Sequence, residues 1–362
     1  MKIGVLGSGQ LGRMLALSAY PLGHQMSFLA SSEEDPSSLL GNTFIQNGSQ
    51  EIIEEFAKNS DVVTYESENT AVSIVKEISQ KTMVYPSAKS LYTSQHRGRE
   101  KSLFDKLNIP CAPYQMVNNL SELKIAVENI GLPAILKTAT DGYDGKGQFL
   151  IQSDSQLDQA WKSMSGVESI LEGFINFKRE LSLVAVRGVD NTHEYYPLVE
   201  NSHHNGILRL TIAPAQNISP KLQQQAESYM RSLLDEMNHV GVLTIELFET
   251  DNNLVVNEMA PRVHNSGHWT IEGARTSQFE NHIRAITETP LGNTSCTHEY
   301  SAMINIIGEQ GPVDKALTLK NAHLHLYNKT EREGRKLGHI TITANTVYDL
   351  NTSLETLSDF MP

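Results

Sequence analysis

The sequence predicts an α/β protein of two or three domains, and three observations lead to this prediction. Apolar strand patterns alternate with helical patterns over the first 90 residues, which is typical of parallel strands covered by helices. A loop with three glycines in six residues, 142–147, separates two apolar runs. Two later runs, 242–250 and 254–258, flank a short polar turn and form a hairpin signal. A chain of 362 residues is long enough to bury several cores.

Composition excludes several classes of protein. The formal net charge is −13, from 29 lysines and arginines against 42 aspartates and glutamates, so the chain is a poor candidate for binding nucleic acid. Cys111 and Cys296 are the only cysteines and lie far apart, which argues against disulfides or a thiolate metal site and favours a cytoplasmic protein. No apolar run approaches the roughly 20 residues of a membrane span. Residues 1–7 lack the features of a signal peptide.

The N-terminal pattern combines a strand, a glycine turn and a helix. Apolar residues at 3–6 precede Gly7-Ser-Gly9-Gln-Leu-Gly12, and a helical pattern follows, which is the context of a dinucleotide-binding turn. The second strand, around 26–30, has no carboxylate at its tip, which weakens the case for an NAD(P) site. Backbone amides at a helix N-terminus attract any anion, so a phosphate or phosphoribosyl contact is the favoured interpretation.

The following segments complete a β-α-β-α-β pattern that is typical of a Rossmann-like domain. Residues 49–60 are predicted to form a helix, and strands are predicted at 61–65 and 84–86. The strand at 61–65 runs into Glu66-Ser-Glu68 at its carboxyl end, where open α/β sheets bind ligands. A solvated strand end is the alternative for each glutamate.

The central segment carries basic residues next to a flexible loop. A helix over 94–107 bears Arg97, for which a solvated helix face is the alternative. Lys137 ends the apolar run that begins at 135, and the glycines of 142–148 let backbone amides approach a phosphate and let the loop open and close. The loop lacks the Gly-Lys-Ser/Thr of a Walker A motif, and a plain glycine-rich hairpin loop is the alternative.

Polar side chains recur along the strands that come next. The run 169–175 contains Glu172, and a period-two run over 179–186 places Glu180 on one face. His203 follows in a predicted turn, where a structural or solvated histidine is the alternative to a functional one.

The later hairpin places two carboxylates together. With a three-residue turn at 251–253, Glu246 and Glu258 lie directly opposite each other on one face. Like charges in this arrangement are destabilising unless a cation lies between them, and Mg²⁺ typically takes one or two carboxylates plus substrate phosphates. Strict alternation points Asn257 to the other face, so a role for it at the same metal would need a twist or a bulge in the strand. A slipped register that leaves one glutamate in water is the alternative.

A loop at 259–270, rich in arginine, asparagine, serine and histidine, follows directly and is predicted to recognise a substrate. His264 and His268 have the spacing of a zinc-binding helix, but Asn-Ser-Gly between them is a poor helix and the glutamate of HExxH is missing. Zinc is therefore disfavoured.

The last segment, from about residue 295, contains short strand patterns. The glycine-flanked pair Arg335 and Lys336 lies between two of these strands and could take a phosphate, with a solvated hairpin turn as the alternative.

Together these parts resemble the ATP-grasp superfamily across nearly the whole chain. Within it they resemble the N5-carboxyaminoimidazole ribonucleotide synthetases, ATP-dependent carboxylases of purine biosynthesis. Five ordered stretches carry this resemblance, and they are far more specific than one glycine turn: 7–14, 142–148, 200–203, 257–268 and 334–339.

The resemblance implies an ATP-grasp fold with three domains. These are a Rossmann-like N-terminal domain over 1–95, a central lid domain over 96–172 and a C-terminal domain over 173–362 that includes a small β subdomain from about 295. It also implies ATP, Mg²⁺ and bicarbonate without biotin, a ribonucleotide substrate and a homodimer.

The resemblance assigns side chains as well. It implies that ATP is bound by Arg97, Lys137, Gly142, Tyr143, Asp144, Gly145, Lys146, Gly147, Gln148, Glu172, Gly173, Phe174, Ile175, Glu180, His203, Asn257 and Glu258. It implies that the ribonucleotide contacts Gly9, Gln10, Leu11, Glu66, Arg262, His264, Asn265, Arg335 and Lys336. It implies that Glu246 and Glu258 hold Mg²⁺, and that Tyr143, Asp144, Lys137 and Arg262 serve the reaction.

Two residues depart from the family pattern, and other functions stay open at this point. Ser8 stands where glycine is common, and Ser67 stands where an apolar or aromatic residue is usual, which leaves open whether Glu66 or Glu68 faces the substrate. The alternatives are another ATP-grasp enzyme, such as a formate-using transformylase or a biotin-type carboxylase, a nucleotide-binding protein without turnover, and an NAD dehydrogenase.

Overall fold

The computed structural model describes residues 1–142, 147–251 and 253–361, which form a mixed α/β fold on three sheets. The strands are β1 (Lys2–Leu6), β2 (Gln25–Ala30), β3 (Asn42–Ile45), β4 (Val62–Tyr65), β5 (Met83–Val84), β6 (Tyr114–Val117), β7 (Ala134–Thr138), β8 (Gln148–Ile151), β9 (Ser169–Gly173), β10 (Arg179–Arg187), β11 (His193–Tyr195), β12 (Val199–His204), β13 (Ile207–Ala213), β14 (Gly241–Glu249), β15 (Leu254–Ala260), β16 (Tyr300–Ile307), β17 (Ala322–Leu326) and β18 (Lys336–Ala344). The helices are α1 (Gln10–Ala19), α2 (Gln50–Lys58), α3 (Val72–Ile78), α4 (Ala88–Ser94), α5 (Arg97–Lys106), α6 (Leu120–Ile130), α7 (Leu157–Ser163), α8 (Pro220–Met237), α9 (Thr270–Gly273), α10 (Gln278–Ile286), α11 (Val313–Leu317) and α12 (Val347–Thr356). None of the helices in these described ranges has the length and apolar composition that crossing a bilayer requires.

The first sheet is parallel, with the strand order β3-β2-β1-β4-β5. Ile3 of the central strand lies in register with Met26 on one side and Val62 on the other. Nearly every residue of β1, β2 and β4 is buried, as expected for parallel strands. The predicted alternation of strands and helices is confirmed here. The prediction omits β3, because its Asn-Thr-Phe-Ile sequence lies on a half-exposed edge and shows no apolar period.

The second sheet is antiparallel, with the order β6-β9-β7-β8. Lys137 of β7 pairs with Gln148 of β8, and Ile135 pairs with Glu172 of β9. The predicted strands on both flanks of the glycine loop are confirmed. Residues 143–146 of that loop lie outside the described ranges.

The third sheet contains nine strands on the path β15-β14-β10-β12-β13-β16-β18-β17, with β11 paired to β10. The prediction of a turn around His203 is wrong, because residues 199–204 form β12. Its polar sequence gives no strand signal, but Glu180 of β10 pairs with Asn201, and that ladder holds the segment extended. Strand β15, which carries Glu258, lies at one end of this path.

Two buried histidines join the first sheet to the third. His282 contacts the Thr64 hydroxyl through Nε2 at 2.8 Å, and its Nδ1 accepts the Val242 backbone N–H at 3.1 Å. His239 donates from Nε2 to the Val242 carbonyl oxygen at 2.9 Å, and its Nδ1 lies 3.1 Å from the Ser90 hydroxyl. The His282 ring needs a bare Nδ1 to accept the Val242 N–H, so it is neutral. Burial lowers the pKa of His239 to about 4 and that of His282 to about 3.

We predict that these histidines make the protein less stable below about pH 6.5. An unfolded histidine titrates near pH ~6.5, so in the window down to about pH 4 the unfolded chain takes up protons that the folded chain refuses. Each histidine then lowers the free energy of unfolding by up to about 1.4 kcal/mol per pH unit. His282→Gln keeps a neutral polar side chain at this position. The unfolded variant then takes up one proton fewer than the unfolded wild type in this pH window.

Urea unfolding of both proteins near pH 7 and near pH 5 measures this effect. The wild type should lose more unfolding free energy than His282→Gln between the two pH values. Equal losses would contradict the assignment of His282 as a buried, neutral histidine between the first and third sheets.

Candidate active site

A cleft of about 770 Å³ opens where the three sheets meet. It is bordered by the carboxyl ends of β1 and β4, by β7, and by the strands β10, β12, β14 and β15. The predicted residues that line it are Gly9, Gln10, Leu11, Glu66, Arg97, Lys137, Gly142, Gly147, Gln148, Glu180, His203, Glu246, Asn257, Glu258, Arg262, His264, Asn265 and Lys336. Most of the predicted site residues thus come together in one place, although they are spread over more than 300 positions of sequence. The predicted residues Tyr143, Asp144, Gly145 and Lys146 lie outside the described ranges.

Glu246 of β14 and Glu258 of β15 pair directly across the hairpin, so the predicted opposition is confirmed. The predicted register of the turn is wrong, since Glu249 rather than residue 250 pairs with Leu254. A β-bulge between residues 246 and 247 absorbs the difference, with Asn257 as the extra residue. The prediction that Asn257 faces away is therefore wrong as well, because the bulge lets neighbouring side chains both line the cleft.

The carboxylate pair has the electrostatics of a cation site. Burial and, next, the charge of Glu258 together raise the pKa of Glu246 to about 7. Burial also acts against the charge of Glu258, but Arg97, whose Nη1 lies 2.9 Å from Oε2, outweighs it and the pKa of Glu258 is lowered. Two carboxylates that face each other at a phosphate-sized cleft are a donor set that suits Mg²⁺.

Lys137 lies between the cleft and a buried glutamate. Its Nζ donates to Glu172 Oε2 at 2.8 Å and lies 3.5 Å from Asn257 Oδ1. Burial acts against the charge of Glu172, but Lys137, Lys101 and Arg97 outweigh it and hold its pKa at about 2. Glu172 therefore lies behind Lys137, and its charge opposes the burial that lowers the pKa of Lys137 at the wall of the cleft.

The structure does not place four other predicted residues on the described wall of the cleft. Gly173, Phe174 and Ile175 are absent from its lining, and Arg335 bonds to the carbonyl and hydroxyl of Thr330 instead. The neighbouring Lys336 does line the cleft.

Apolar lining residues escape the sequence prediction. Ile135, Phe177 and Phe248 form an apolar part of the wall, and the two phenylalanine rings stack with centroids 4.6 Å apart. A period-two signal could have found two of them, because Ile135 precedes Lys137 by two residues and Phe248 follows Glu246 by two. Such a surface suits a flat heteroaromatic ring.

A second ion pair lies on the strands next to the carboxylates. His203 Nδ1 of β12 lies 2.7 Å from Glu180 Oε2 of β10. Burial acts to lower the pKa of His203, but Glu180 and Glu246 outweigh it and the pKa is raised. A histidine in a polar strand next to a carboxylate is thus held in position by the sheet and not by a turn.

Both glutamates at the end of β4 have partners in the structure. Glu66 accepts the backbone N–H of Gly9 and that of Gly12, the latter at 2.6 Å, so a carboxylate of the protein occupies the amides of the first glycine turn. Glu68, which the prediction left undecided, forms an ion pair with Arg262. Burial opposes the charge of Glu68, yet Arg262 lowers its pKa to about 2.

The loop after β15 contributes an amide that has no partner among the described residues. Asn265 lines the cleft, and both its Nδ2 and its Oδ1 are buried without a hydrogen bond there. His264, whose Nε2 lies 3.4 Å from Glu246 Oε1, bonds Ser266 Oγ through Nδ1 at 2.8 Å. Residues 265–267 form a 3₁₀ turn, so His264 and His268 do not share a helix face. A buried amide with no partner costs free energy unless a ligand satisfies it.

A lysine that the sequence prediction omits lies next to the first glycine turn. Lys329 Nζ donates to Gln10 Oε1. Burial lowers the pKa of Lys329 to about 8, and the nearby charge of Arg335 contributes to the lowering. Its only sequence signal is its place six residues before Arg335 in a basic segment.

Family models match almost the whole length of the chain. A ribonucleotide synthetase preATP-grasp domain matches residues 1–95, an ATP-grasp domain matches 102–279, and a phosphoribosylaminoimidazole carboxylase C-terminal domain matches 301–353. The N5-carboxyaminoimidazole ribonucleotide synthase of Pseudomonas aeruginosa is 46% identical over 94% of this chain and 94% of its own length. That of Bacillus subtilis is 39% identical over 94% of this chain and 90% of its own length.

The chain belongs to the N5-carboxyaminoimidazole ribonucleotide synthase family.

Solved structures of this family have the same fold. The synthetase from Thermus thermophilus is 44% identical, covers 99% of this chain and 98% of its own, and superimposes with a TM-score of 0.94. The synthase from Aspergillus clavatus, solved with ADP and 5-aminoimidazole ribonucleotide, is 34% identical, covers 99% of this chain and 98% of its own, and gives a TM-score of 0.92. The predicted ATP-grasp fold and the predicted family are therefore confirmed, and the chain is an ATP-grasp ligase.

We predict that Glu172→Gln destabilises this family member strongly. The change leaves Lys137 and the fully buried Lys101 without their shared carboxylate, and an unpaired buried charge typically costs about 3–5 kcal/mol. Urea unfolding measures this loss. Glu168→Gln is the matched control, because Glu168 pairs with His96 on the surface and an exposed ion pair is worth about 1 kcal/mol or less. Equal losses for the two variants would show that Glu172 does not hold the buried cations.

Proposed function

We propose that the chain carboxylates 5-aminoimidazole ribonucleotide with ATP and bicarbonate, giving N5-carboxyaminoimidazole ribonucleotide, ADP and phosphate in purine biosynthesis. The observation that carries this proposal is the composition of one cleft. Opposed carboxylates and a buried lysine lie at one end, and beside them lies the amide of Asn265, for which the described part of the chain supplies no hydrogen bond. Phosphoryl transfer and a polar acceptor substrate need this combination.

ATP takes the part of the cleft between β7 and the β14–β15 hairpin. Arg97 and Lys137 face its phosphates, Glu180 its ribose, and the Phe177–Phe248 surface its adenine. Gly142, Gly147 and Gln148 border the same space. The predicted contacts of Glu172 to Ile175 with the adenine stay predictions, as do those of 143–146.

Glu246 and Glu258 fit Mg²⁺, since burial and mutual repulsion raise the pKa of Glu246 and a cation relieves both effects. Mg²⁺ bound there neutralises charge on the transferred phosphoryl group. Arg97 keeps Glu258 ionised, and Asn257 is held at the cleft by the bulge. These residues align the phosphates without side-chain rearrangement.

The ribonucleotide takes the part of the cleft near the first sheet. Arg262, His264, Asn265 and Lys336 border it from one side, and the Gly9–Leu11 turn and Glu66 border it from the other. The polar amide of Asn265 recognises hydrogen-bonding groups of the ribonucleotide. Arg335 lies one residue beyond Lys336 and adds positive charge toward a phosphate.

The chemistry proceeds in two steps. A bicarbonate oxygen bonds to the γ-phosphorus of ATP, and ADP leaves, which gives carboxyphosphate. The amine nitrogen of the ribonucleotide then bonds to the carboxyl carbon, the bond between that carbon and the phosphate oxygen breaks, and phosphate leaves with the electron pair and takes up the proton that the amine loses. Lys137 and Arg97 stabilise the charge that develops during transfer. Tyr143 and Asp144, assigned to the reacting groups by the family resemblance, stay predictions.

Two broader assignments rest on the family resemblance: the division of the chain at 1–95, 96–172 and 173–362, and a homodimer. A third, a cytoplasmic location, rests on the two widely separated cysteines. We propose them together with the reaction.

The test of the reaction is phosphate release from Mg-ATP, measured with and without the ribonucleotide in bicarbonate-supplied and bicarbonate-depleted buffer. Release that requires both co-substrates is the expected result. Phosphate release that does not depend on bicarbonate would indicate a different ATP-grasp reaction. An absence of release under every condition would favour a nucleotide-binding protein without turnover.

We predict that Glu258→Gln abolishes phosphate release and leaves the fold intact. The loss should exceed the roughly 10–100-fold that removal of a residue orienting a metal ligand typically costs. Asp251→Asn is the matched control, because Asp251 lies at the exposed tip of the same hairpin and pairs only with Lys178 among the described residues. Near-native release by Glu258→Gln, with an unchanged circular dichroism spectrum, would overturn the metal assignment.

A further inference from the structure

Strand β15 lies at the edge of the third sheet, where the described residues supply no further strand and only an isolated bridge joins Val256 to Cys111. An edge strand whose N–H and C=O groups are left unpaired is unstable and invites wrong pairing. The Val256 N–H donates to the Pro110 carbonyl oxygen at 2.8 Å. The next groups along the edge belong to Asn257 and Met259, on either side of Glu258, and no backbone partner outside the sheet reaches them among the described residues.

Two consecutive side chains of helix α5 satisfy these groups. Lys101 Nζ donates to the Asn257 carbonyl oxygen at 2.7 Å, and Glu100 Oε1 accepts the Met259 N–H at 2.6 Å. Arg97, one turn earlier on the same helix, reaches the side chain of Glu258 between them at 2.9 Å. One turn of one helix thus holds three consecutive residues of the bulged strand.

Burial shows that this contact is not incidental. Lys101 is fully buried and Glu100 is 2% exposed. Burying an ionised lysine costs several kcal/mol, and a packed apolar side chain is often at least as stable. The sequence pattern over 94–107 assigns no role to Lys101. Ionisable side chains at two buried positions next to an irregular strand indicate a specific geometric requirement at that strand.

We propose that Glu100 and Lys101 are positioning residues that hold the β-bulge at Asn257, so that the side chains of Asn257 and Glu258 both face the cleft. This inference rests on the proposed Mg²⁺-dependent function. Without the two bonds, the strand relaxes toward regular alternation, in which neighbouring side chains point to opposite faces. Asn257 or Glu258 then leaves the cleft, and the opposition of Glu258 to Glu246 is lost.

The state of Glu100 suggests the variants to use. Burial raises the pKa of Glu100 to about 8, against the nearby charge of Lys101, so the neutral acid predominates at neutral pH. Glu100→Gln keeps its size, its neutrality and an acceptor oxygen for the Met259 N–H. Glu100→Leu keeps the volume and removes the acceptor. Lys101→Met keeps the stem and removes the donor to Asn257.

The experiment measures ADP affinity by calorimetry with and without Mg²⁺, which does not depend on turnover. In the wild type, Mg²⁺ should tighten ADP binding. In Glu100→Leu and Lys101→Met this Mg²⁺-dependent gain should fall about tenfold or more, the typical cost of losing a partner that orients a metal ligand. Glu100→Gln should retain the gain. Leu103→Ala, on the same helix without a side-chain bond to the bulge, should unfold more easily and yet retain the gain.

Hydrogen exchange of the segment around Met259 provides the second readout. Its amide should exchange faster in Glu100→Leu than in Glu100→Gln or the wild type, because it has lost its acceptor. If the Glu100→Leu and Lys101→Met gains match the wild-type gain, the positioning role is overturned and the proposed function stands. If the affinity of the wild type for ADP is the same with and without Mg²⁺, the metal assignment is wrong and the positioning role is wrong with it. If Lys101→Met does not fold, the Glu100→Leu and Glu100→Gln comparison decides.

Discussion

Two carboxylates that face each other across adjacent strands impose the requirements that the surrounding structure meets. Glu246 and Glu258 cannot both ionise at low cost while they are buried side by side. Arg97 compensates Glu258 from one side, whereas burial and the charge of Glu258 raise the pKa of Glu246 against the opposing effects of His203 and Lys336. The protein alone therefore leaves a site for positive charge at this point. Chemistry on a polyphosphate uses such a site, because the phosphates arrive with a metal ion.

The other buried charges of the cleft are compensated within the protein. Lys137 is held by Glu172, Arg262 by Glu68, and His203 by Glu180. Each pair uses residues distant in sequence or on separate strands, so the charges are fixed only once the sheets have assembled. Such an arrangement is expected where charge must be in place before a substrate binds, since reorganisation during the reaction would cost free energy.

The β-bulge at Asn257 links the fold to the site. A regular hairpin with the observed Glu249–Leu254 pairing would place Glu246 opposite residue 257, and Glu258 would leave the carboxylate face. The extra residue restores the opposition of the two glutamates and brings Asn257 into the cleft. The sequence prediction reached the right pair of glutamates through a turn one residue too short. It could not see the bulge, which depends on what lies against the strand edge.

Local pattern determined much of this protein. Apolar periods and glycine turns predict the first sheet, strand β7 with Lys137, and the β14–β15 hairpin. They do so because the burial of alternating or continuous apolar residues leaves a pattern within a short stretch of sequence. Ordered motifs predict the family. Tertiary structure decided the rest. Polar β12 is extended only because β10 pairs with it, Lys101 is buried only because α5 covers the edge of β15, and Phe177 meets Phe248 only because β10 pairs with β14. These features depend on contacts between segments far apart in sequence, so the apolar periodicity within one segment does not predict them.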